Sequence, residues 1–245
     1  MKILLAPSET KQKGGEKPFL LDALFLRELL PQRKELLHKY TNILQQNDLS
    51  VLSKMFGLKK EADIRYQQQQ DIIHQGTMKA IERYTGVAFD YLDYPKLDKT
   101  QQKYIDQNVI LFSNLFGAIR ADDFIPEYKL KQGEALGEIK VEKFYKTHSS
   151  KYLGEYLAEE EILDLRAGFY DKFYIPNKPY TSLKFIKEGK VVSHWAKAYR
   201  GIVLRYIAQN NINTIHALST SNIKGLKLKE QNTHKNKTEI IYEIL

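Results

Sequence analysis

Short apolar runs of strand length alternate with longer segments of helical periodicity along the whole chain. Strands are predicted at Lys2–Ala6, Val109–Phe112 and Ile162–Leu165. Helices are predicted between them, for instance over Val141–Leu157 and Ala196–Gln209, where apolar residues recur at helical spacing. No linker rich in Pro, Gly or Ser separates these segments. The alternation therefore predicts an α/β (mixed α+β) fold, a single domain over residues 1–245 with a central mixed sheet flanked by helices.

The part of the chain before residue 86 is predominantly helical in pattern. Phe19–Leu44 has apolar residues at helical spacing, and Pro31 predicts a break between two helices. Another helix is predicted from Asp48 to a stop at Gly57. Together these segments predict a helical lobe at about residues 32–85.

The carboxyl-terminal part is predicted to return to strands. Tyr180–Ile186 and Lys190–Ser193 alternate around Glu188 and Gly189, which is typical of a β-hairpin. Closing strands are predicted at 214–218 and 239–244.

Several classes of protein are excluded by what the sequence lacks. The 245 residues include no cysteine, which rules out disulfides, thiol catalysis and cysteine-based zinc sites. The six histidines show no metal-binding spacing, and no Walker A, G-x-G-x-x-G or G-x-S-x-G motif occurs, so neither a metal nor a cofactor is predicted. The apolar run at the start is too short for a secretory signal, and no stretch approaches ~18 apolar residues. We expect a soluble, cytoplasmic protein with no membrane partner.

Positive charge is concentrated at the two ends of the chain. The net charge is +8 overall, with +5 in residues 1–60, −4 in residues 61–183 and +7 in residues 184–245. If the ends meet in the fold, they form a positive surface that attracts nucleic acid or phosphorylated ligands. The alternative is a solvated basic face that only keeps the protein soluble.

A polar loop follows the first predicted strand and contains Ser8, Glu9, Lys11, Gly14 and Gly15. Loops at the carboxyl ends of strands are where α/β folds bind ligands, and these residue types can hold a phosphate. An exposed polar turn is the alternative interpretation.

Two further clusters combine arginine with carboxylates. Arg120 and Tyr128 lie among apolar residues, and Arg120 either pairs with a nearby aspartate or faces an anionic ligand. Asp164 and Arg166 are two residues apart, so on a strand they share a face and emerge at its carboxyl end.

The fourth cluster lies at a predicted strand-to-helix transition and includes His194, Lys197 and Arg200. Lys197 and Arg200 share a helix face, with Ser193 as a candidate cap, which favours an anion-facing surface. A solvated helix face is the alternative.

Taken in chain order, the clusters carry a specific combination of residues. They are Pro7, Ser8, Glu9, Lys11, Gly14 and Gly15, then Tyr84 to Asp90, then Ser113, Leu115, Gly117, Arg120, Asp123, Ile125, Pro126 and Tyr128, then Asp164 to Arg166, and finally Ser193, His194, Lys197 and Gly201. The combination resembles the bacterial YaaA family of peroxide stress proteins, in the branch with a P-S-E-x-K motif near its start.

The resemblance implies a compact α/β domain with a positively charged cleft. It also implies DNA binding through a helix-hairpin-helix element and a role in limiting oxidative damage. The candidate hairpin spans residues 52–62, with a turn at Gly57 followed by Lys59 and Lys60. Such hairpins offer backbone N–H groups at a helix start to a phosphate.

Two functional hypotheses follow. The first is a monomeric, cytosolic protein of the oxidative stress response that is not an enzyme and binds DNA without sequence preference. The phosphate-binding residues would be Lys11, Gly57, Lys59, Lys60, Arg120, Tyr128, Arg166, Lys197 and Arg200.

The second hypothesis is an enzyme acting on a phosphorylated or nucleotide-like small molecule. Glu9 or His194 would then transfer protons. This hypothesis requires one pocket to bring together Glu9, Lys11, Arg120, Tyr128, Asp164, Arg166, His194 and Lys197.

Overall fold

Buried apolar segments form the centre of one large sheet, and helices cover both of its faces. The structure is a computed structural model that describes the backbone of residues 1–245 and every side chain except those of Ser193 and His194. The strands are β1 (Lys2–Leu5), β2 (Met78–Lys79), β3 (Val109–Ser113), β4 (Gly117–Arg120), β5 (Phe124–Ile125), β6 (Ala135–Leu136), β7 (Ile139–Lys140), β8 (Ile162–Asp164), β9 (Tyr180–Lys187), β10 (Lys190–Val191), β11 (Leu226–His234) and β12 (Lys237–Ile244).

The helices are inserted between these strands rather than grouped at one end of the chain. They are α1 (Leu30–Gln46), α2 (Leu49–Phe56), α3 (Glu61–Gln68), α4 (Ala80–Arg83), α5 (Val87–Leu92), α6 (Lys99–Asn108), α7 (Val141–Tyr156), α8 (Ser193–Gln209) and α9 (Ile215–Ser219). In the described chain, no helix is both long and apolar enough to cross a membrane.

The central sheet is mixed. Eight of the described strands form it, in the order β11-β12-β9-β8-β1-β3-β4, with β10 paired to β9. β1 pairs in parallel with both β3 and β8, while β3–β4 and β11–β12 are antiparallel. β1 and β3 consist almost entirely of apolar residues, because both faces of the sheet are covered at these strands. The predicted mixed α/β fold is confirmed.

The connections that follow β1 and β8 lead to opposite sides of the sheet. The connection from β1 leads to β3 on one side, whereas β8 is followed by β9 on the opposite side. In open α/β sheets, a crevice forms at the carboxyl ends of strands where the direction of connection reverses. This topology points to the ends of β1 and β8 as the place for a ligand.

The structure corrects two of the predicted elements. A strand was predicted at 214–218, but Ile215–Ser219 forms the helix α9, which Thr214 caps by accepting a hydrogen bond from the Ala217 N–H. Pro31 does not separate two α-helices but lies in the first turn of α1, and only short 3-10 turns, Leu21–Ala23 and Arg27–Leu29, precede it.

The predicted β9–β10 hairpin is confirmed. Its turn residues, Glu188 and Gly189, both have positive φ, 51° and 74°, as a tight hairpin turn requires. The edge strand β11 was not predicted, because it is exposed along almost its whole length and its apolar alternation is limited to Leu226 and Leu228.

Candidate functional site

A cavity of about 410 Å³ opens at the carboxyl ends of β1 and β8, where the topology points. We call it the strand-end cavity. The loops after β1 and β8, the start of α5 and one face of α8 enclose it. The residues that define it are Leu5–Thr10, Thr85–Phe89, Gln132, Leu165, Ala167, Tyr170, Lys197 and Arg200.

Two cations from α8 line the strand-end cavity. Lys197 is exposed and Arg200 is half-buried. Burial lowers the pKa of Arg200, while Asp164 acts in the opposite direction, and a guanidinium stays charged at neutral pH. Among the side chains that the structure describes, Arg200 has no hydrogen-bond or ion-pair partner. The cavity therefore presents positive charge that is available to an anion.

Hydroxyl groups also line the strand-end cavity. Ser8 Oγ and Thr10 Oγ1 lie 3.0 Å apart, and Thr10 Oγ1 donates to the Thr85 carbonyl at 3.2 Å. Tyr170 is buried, and burial raises the pKa of its phenol, so it stays a neutral hydroxyl. Cations with neutral hydroxyls suit an anionic, oxygen-rich group such as a phosphate.

Close packing of α5 against α8 fixes the position of these cations. Gly201 follows Arg200 and lies against the backbone of α5. A Cβ at Gly201 would be 2.1 Å from the Ala88 carbonyl oxygen. Only glycine permits this approach, so the wall of the strand-end cavity depends on it.

A second cavity, of about 460 Å³, lies next to the first and shares Glu9 and Thr10 with it. We call it the lysine cavity. The loop after β1, α3 and the segment before Leu130 enclose it. Its other lining residues are Lys11, Lys13, Leu58, Ala62, Asp63, Tyr66, Gln67, Glu127, Tyr128 and Lys129.

Lys11 is the most perturbed cation of the lysine cavity. Its Nζ lies over two tyrosine rings, 4.0 Å from the centroid of Tyr128 and 5.1 Å from that of Tyr84. Its one hydrogen-bond acceptor among the described residues is the Ser8 carbonyl, at 3.4 Å. Burial lowers the pKa of Lys11 to about 7, and repulsion from Lys129 acts in the same direction.

The tyrosines beneath Lys11 are held rigidly. The Tyr128 hydroxyl lies 2.9 Å from the Tyr84 hydroxyl and 2.7 Å from Ser113 Oγ. Ser113 Oγ in turn accepts from the backbone N–H of Phe116 at 2.9 Å. Tyr128 is therefore a buried support for Lys11, and its hydroxyl is committed to this network.

The loop that carries Glu9 and Lys11 is tied down on both sides. Glu9 accepts a hydrogen bond from the Gln132 N–H at 3.1 Å, and its carbonyl accepts from Lys129 at 3.2 Å. The buried Arg83 donates to the Gln12 carbonyl at 2.6 Å. These contacts hold Glu9 at the boundary between the two cavities.

Two of the predicted phosphate-binding arginines are used elsewhere. Arg166 is buried and donates to Asp164, at 2.7 and 2.9 Å, and to the carbonyls of Tyr170 and Tyr174. Arg120 ends β4 opposite Ile110, near the amino end of β3, and it pairs with Asp122. Because β4 runs antiparallel to β3, Arg120 lies at the opposite end of these strands from the strand-end cavity, so it does not join the single pocket that the second hypothesis requires.

The candidate hairpin consists of α2, a turn and α3. Gly57 ends α2 with φ of 66°, and Lys59 and Lys60 are exposed in the turn. The first turn of α3 carries Glu61 and Asp63, which oppose a phosphate at that helix start. The hairpin borders the lysine cavity through residues 58, 62 and 63.

The structure thus brings together only part of the predicted set. Glu9, Lys11, Lys197 and Arg200 line the two adjoining cavities, with Tyr128 beneath Lys11. The side chains of Ser193 and His194 lie outside the described residues. No cluster of three histidine, aspartate or glutamate side chains suited to a metal ion occurs among those described.

Tyr170 and Lys129 were missed from the sequence. Tyr170 lies after β8 in a stretch rich in aromatic residues, a pattern typical of the hydrophobic core. Lys129 follows Tyr128 and belongs to no recognisable motif. Only the fold brings them beside Glu9.

Comparison with known proteins shows the family of the chain. The family model described as peroxide stress protein YaaA matches residues 1–232. The chain belongs to the YaaA family.

Its relatives share most of its length. An uncharacterized protein of Campylobacter jejuni is 47% identical, with 100% of each chain covered. A UPF0246 protein of Corynebacterium glutamicum is 30% identical over 96% of this chain and 97% of its own. Another from Streptomyces coelicolor is 28% identical over 84% and 82%.

Proposed function

We propose that this protein acts in peroxide stress defence by binding a phosphate-bearing small molecule in the strand-end cavity. The observation that carries the proposal is the charged, unpaired guanidinium of Arg200 among the described residues. Its guanidinium is half-buried in the cavity wall, is charged at neutral pH and lacks a partner among the described residues. A half-buried charge without a protein partner is only partly solvated, and a bound anion would compensate it.

The remaining walls support the same ligand chemistry. Lys197 adds a second cation, and Ser8 and Thr10 add hydroxyls. The cavity is enclosed by short segments that converge from different parts of the chain, a shape suited to a small ligand.

Calorimetric titration with pyrophosphate and with AMP tests the proposal. Removal of a charge-assisted hydrogen bond costs about 1.5–3 kcal/mol, so we expect Arg200→Gln and Lys197→Gln each to weaken binding about tenfold or more. Lys59→Gln with Lys60→Gln is the matched control, since it removes two exposed cations outside the strand-end cavity. Absence of binding at millimolar ligand, or equal effects of cavity and control variants, would contradict the proposal.

DNA binding without sequence preference is the second candidate function. It is supported by the exposed Lys59 and Lys60 in the turn of a helical hairpin, and by the overall positive charge. Glu61 and Asp63 bring negative charge to the first turn of α3 and disfavour a phosphate there. The strand-end cavity is therefore the better supported site.

Charge reversal at the hairpin tests this candidate on duplex, single-stranded and branched DNA. If the hairpin binds phosphates, Lys59→Glu with Lys60→Glu weakens affinity for all sequences alike, and the salt slope falls by about one unit for each phosphate that is no longer neutralised. Wild-type affinity in this variant, combined with weakened binding in Lys197→Gln with Arg200→Gln, would assign DNA to the cavities instead.

A further inference from the structure

We propose that Lys11 is a nucleophilic amine that forms an imine with the carbonyl carbon of a phosphorylated aldehyde or ketone. The proposal rests on the proposed function, because the phosphate would sit against Arg200 and Lys197 in the strand-end cavity. The carbonyl would then extend past Glu9 and Thr10 into the lysine cavity.

The first support is the environment of the amine. Lys11 Nζ packs on the faces of Tyr84 and Tyr128, and no carboxylate among the described residues lies within the 4.0 Å of an ion pair. Most lysines of a protein are solvated or paired, and both conditions keep the proton on nitrogen. Lys11 has no such ion pair and only partial exposure to solvent.

The second support is the balance of charge around Lys11. The groups facing it from neighbouring segments are Glu9 and Glu127, which favour the ammonium, and Lys129 and Arg83, which disfavour it. Burial is the largest influence and acts with Lys129 and Arg83 against the ammonium. The resulting pKa, about 7, makes the free amine accessible at neutral pH, as a lysine nucleophile requires.

The third support is access. Lys11 is half-buried and lines the lysine cavity, so its nitrogen is desolvated but reachable. Tyr128 and Tyr84 hold the side chain in place through a network that ends on the backbone of Phe116. A preorganised amine facing a cavity is the arrangement that imine chemistry needs.

The proposed step is balanced. The nitrogen lone pair adds to the carbonyl carbon, and the C=O π electrons move to oxygen, which takes up a proton. The nitrogen loses its first proton as the neutral carbinolamine forms. The hydroxyl then takes up a second proton and leaves as water, while the nitrogen lone pair forms the C=N bond and the nitrogen gives up its second proton. The two protons lost by nitrogen are the two gained by the departing oxygen, so the net products are the imine and one water.

Reductive trapping with pyridoxal 5′-phosphate, which carries both an aldehyde and a phosphate, tests the proposal. The full chain is incubated at pH 7 with limiting probe and borohydride, and the modified lysines are mapped by mass spectrometry. We expect Lys11 to be labelled at least tenfold faster than Lys13, which is exposed two residues later and also lies over a tyrosine ring, at 3.9 Å. Equal labelling of Lys11 and Lys13 would overturn the proposal.

Two variants separate chemistry from structure. Lys11→Arg keeps a cation over the tyrosine rings but has no nucleophilic amine at neutral pH, so the protein should fold and the label should disappear. Lys17→Arg is the matched control, because Lys17 is exposed, lies over the Phe124 ring at 4.0 Å and belongs to the lining of neither cavity, and it should leave the Lys11 label unchanged. Persistence of the cavity label in Lys11→Arg would assign it to another lysine and overturn the proposal.

Pyridoxal without phosphate distinguishes this proposal from the proposed function. We expect it to label Lys11 at least tenfold more slowly, and inorganic phosphate to protect Lys11 from the phosphorylated probe. Equal labelling by both probes would overturn the phosphorylated substrate class. If pyrophosphate binds by calorimetry but Lys11 resists labelling, the imine is overturned and the phosphate site stands.

Discussion

At the scale of single residues, the two desolvated cations Arg33 and Lys11 differ in how many hydrogen-bond acceptors surround them. Arg33 is fully buried and donates to backbone carbonyls of Leu24, Phe25, Leu26, Phe116 and Ala118, so its charge is spread over dipoles. Lys11, in contrast, has a single weak acceptor. The first arrangement holds segments together, whereas the second leaves a group with altered chemistry.

Lys11 should make stability depend on pH. Burial lowers the pKa of Lys11 to about 7 in the folded protein, against 10.5 in the unfolded chain, so the ammonium destabilises the fold fully below pH 7 and this cost is lost between pH 7 and about pH 10.5. We expect Lys11→Met to gain stability relative to wild type at pH 6, and that advantage to shrink by about 2–3 kcal/mol at pH 9. Urea unfolding measures both.

Lys13→Met, in the same loop, is the control for that experiment. A difference between Lys11→Met and wild type that does not change with pH would show that the Lys11 ammonium is not desolvated.

Arg33 should be essential for stability. Arg33→Met removes the donor to these backbone carbonyls and leaves them buried without a partner, so we expect the free energy of unfolding in urea to fall by about 3–5 kcal/mol. Arg27→Met, at an exposed position nearby, should change stability by less than about 0.5 kcal/mol. Similar small effects of the two substitutions would contradict the role of Arg33.

At the scale of elements, the packing of α5 on α8 controls the strand-end cavity. α8 carries Lys197 and Arg200, and Gly201 brings the helix against the backbone of Ala88. The same contact therefore supports both the fold and the site.

Gly201→Ala should separate the two helices. Its Cβ would overlap the Ala88 carbonyl, and overpacking of this kind costs about 1–3 kcal/mol. Because the cations move with α8, pyrophosphate binding should weaken as well. Gly168→Ala is the matched control, since a Cβ there meets nothing within 4 Å. Unchanged binding and stability in Gly201→Ala would rule out this coupling.

At the scale of the whole molecule, the two basic ends of the chain meet. The loop after β1 belongs to the amino-terminal segment of net charge +5, and α8 belongs to the carboxyl-terminal segment of net charge +7. Both line the strand-end cavity. The sheet order, with β1 in the interior and the carboxyl-terminal strands on one side, produces this meeting.

Salt dependence should distinguish the two candidate functions. DNA binding releases counterions, so the logarithm of its affinity should fall with the logarithm of salt concentration by about 0.9 per phosphate contacted. Pyrophosphate bound in an enclosed cavity should show a slope of about one unit or less, because few counterions are released. A shallow slope for DNA would exclude the hairpin as a phosphate-binding surface.

The sequence by itself determined the class of fold and several of the residues around the cavities, Tyr128 among them. Apolar runs in β1, β3 and β8 and the alternation in β9 are local signals that follow from burial, and Glu9, Lys11, Lys197 and Arg200 were found because they lie beside such runs. Only the tertiary structure decided which polar groups are available to a ligand. Arg166 is satisfied by carbonyls of its own loop, Arg120 lies at the opposite end of β3 and β4 from the strand-end cavity, and Tyr170 reaches the cavity across the end of β8. The physical reason is that hydrogen-bond satisfaction and desolvation depend on neighbours distant in the chain, which no local pattern of residues encodes.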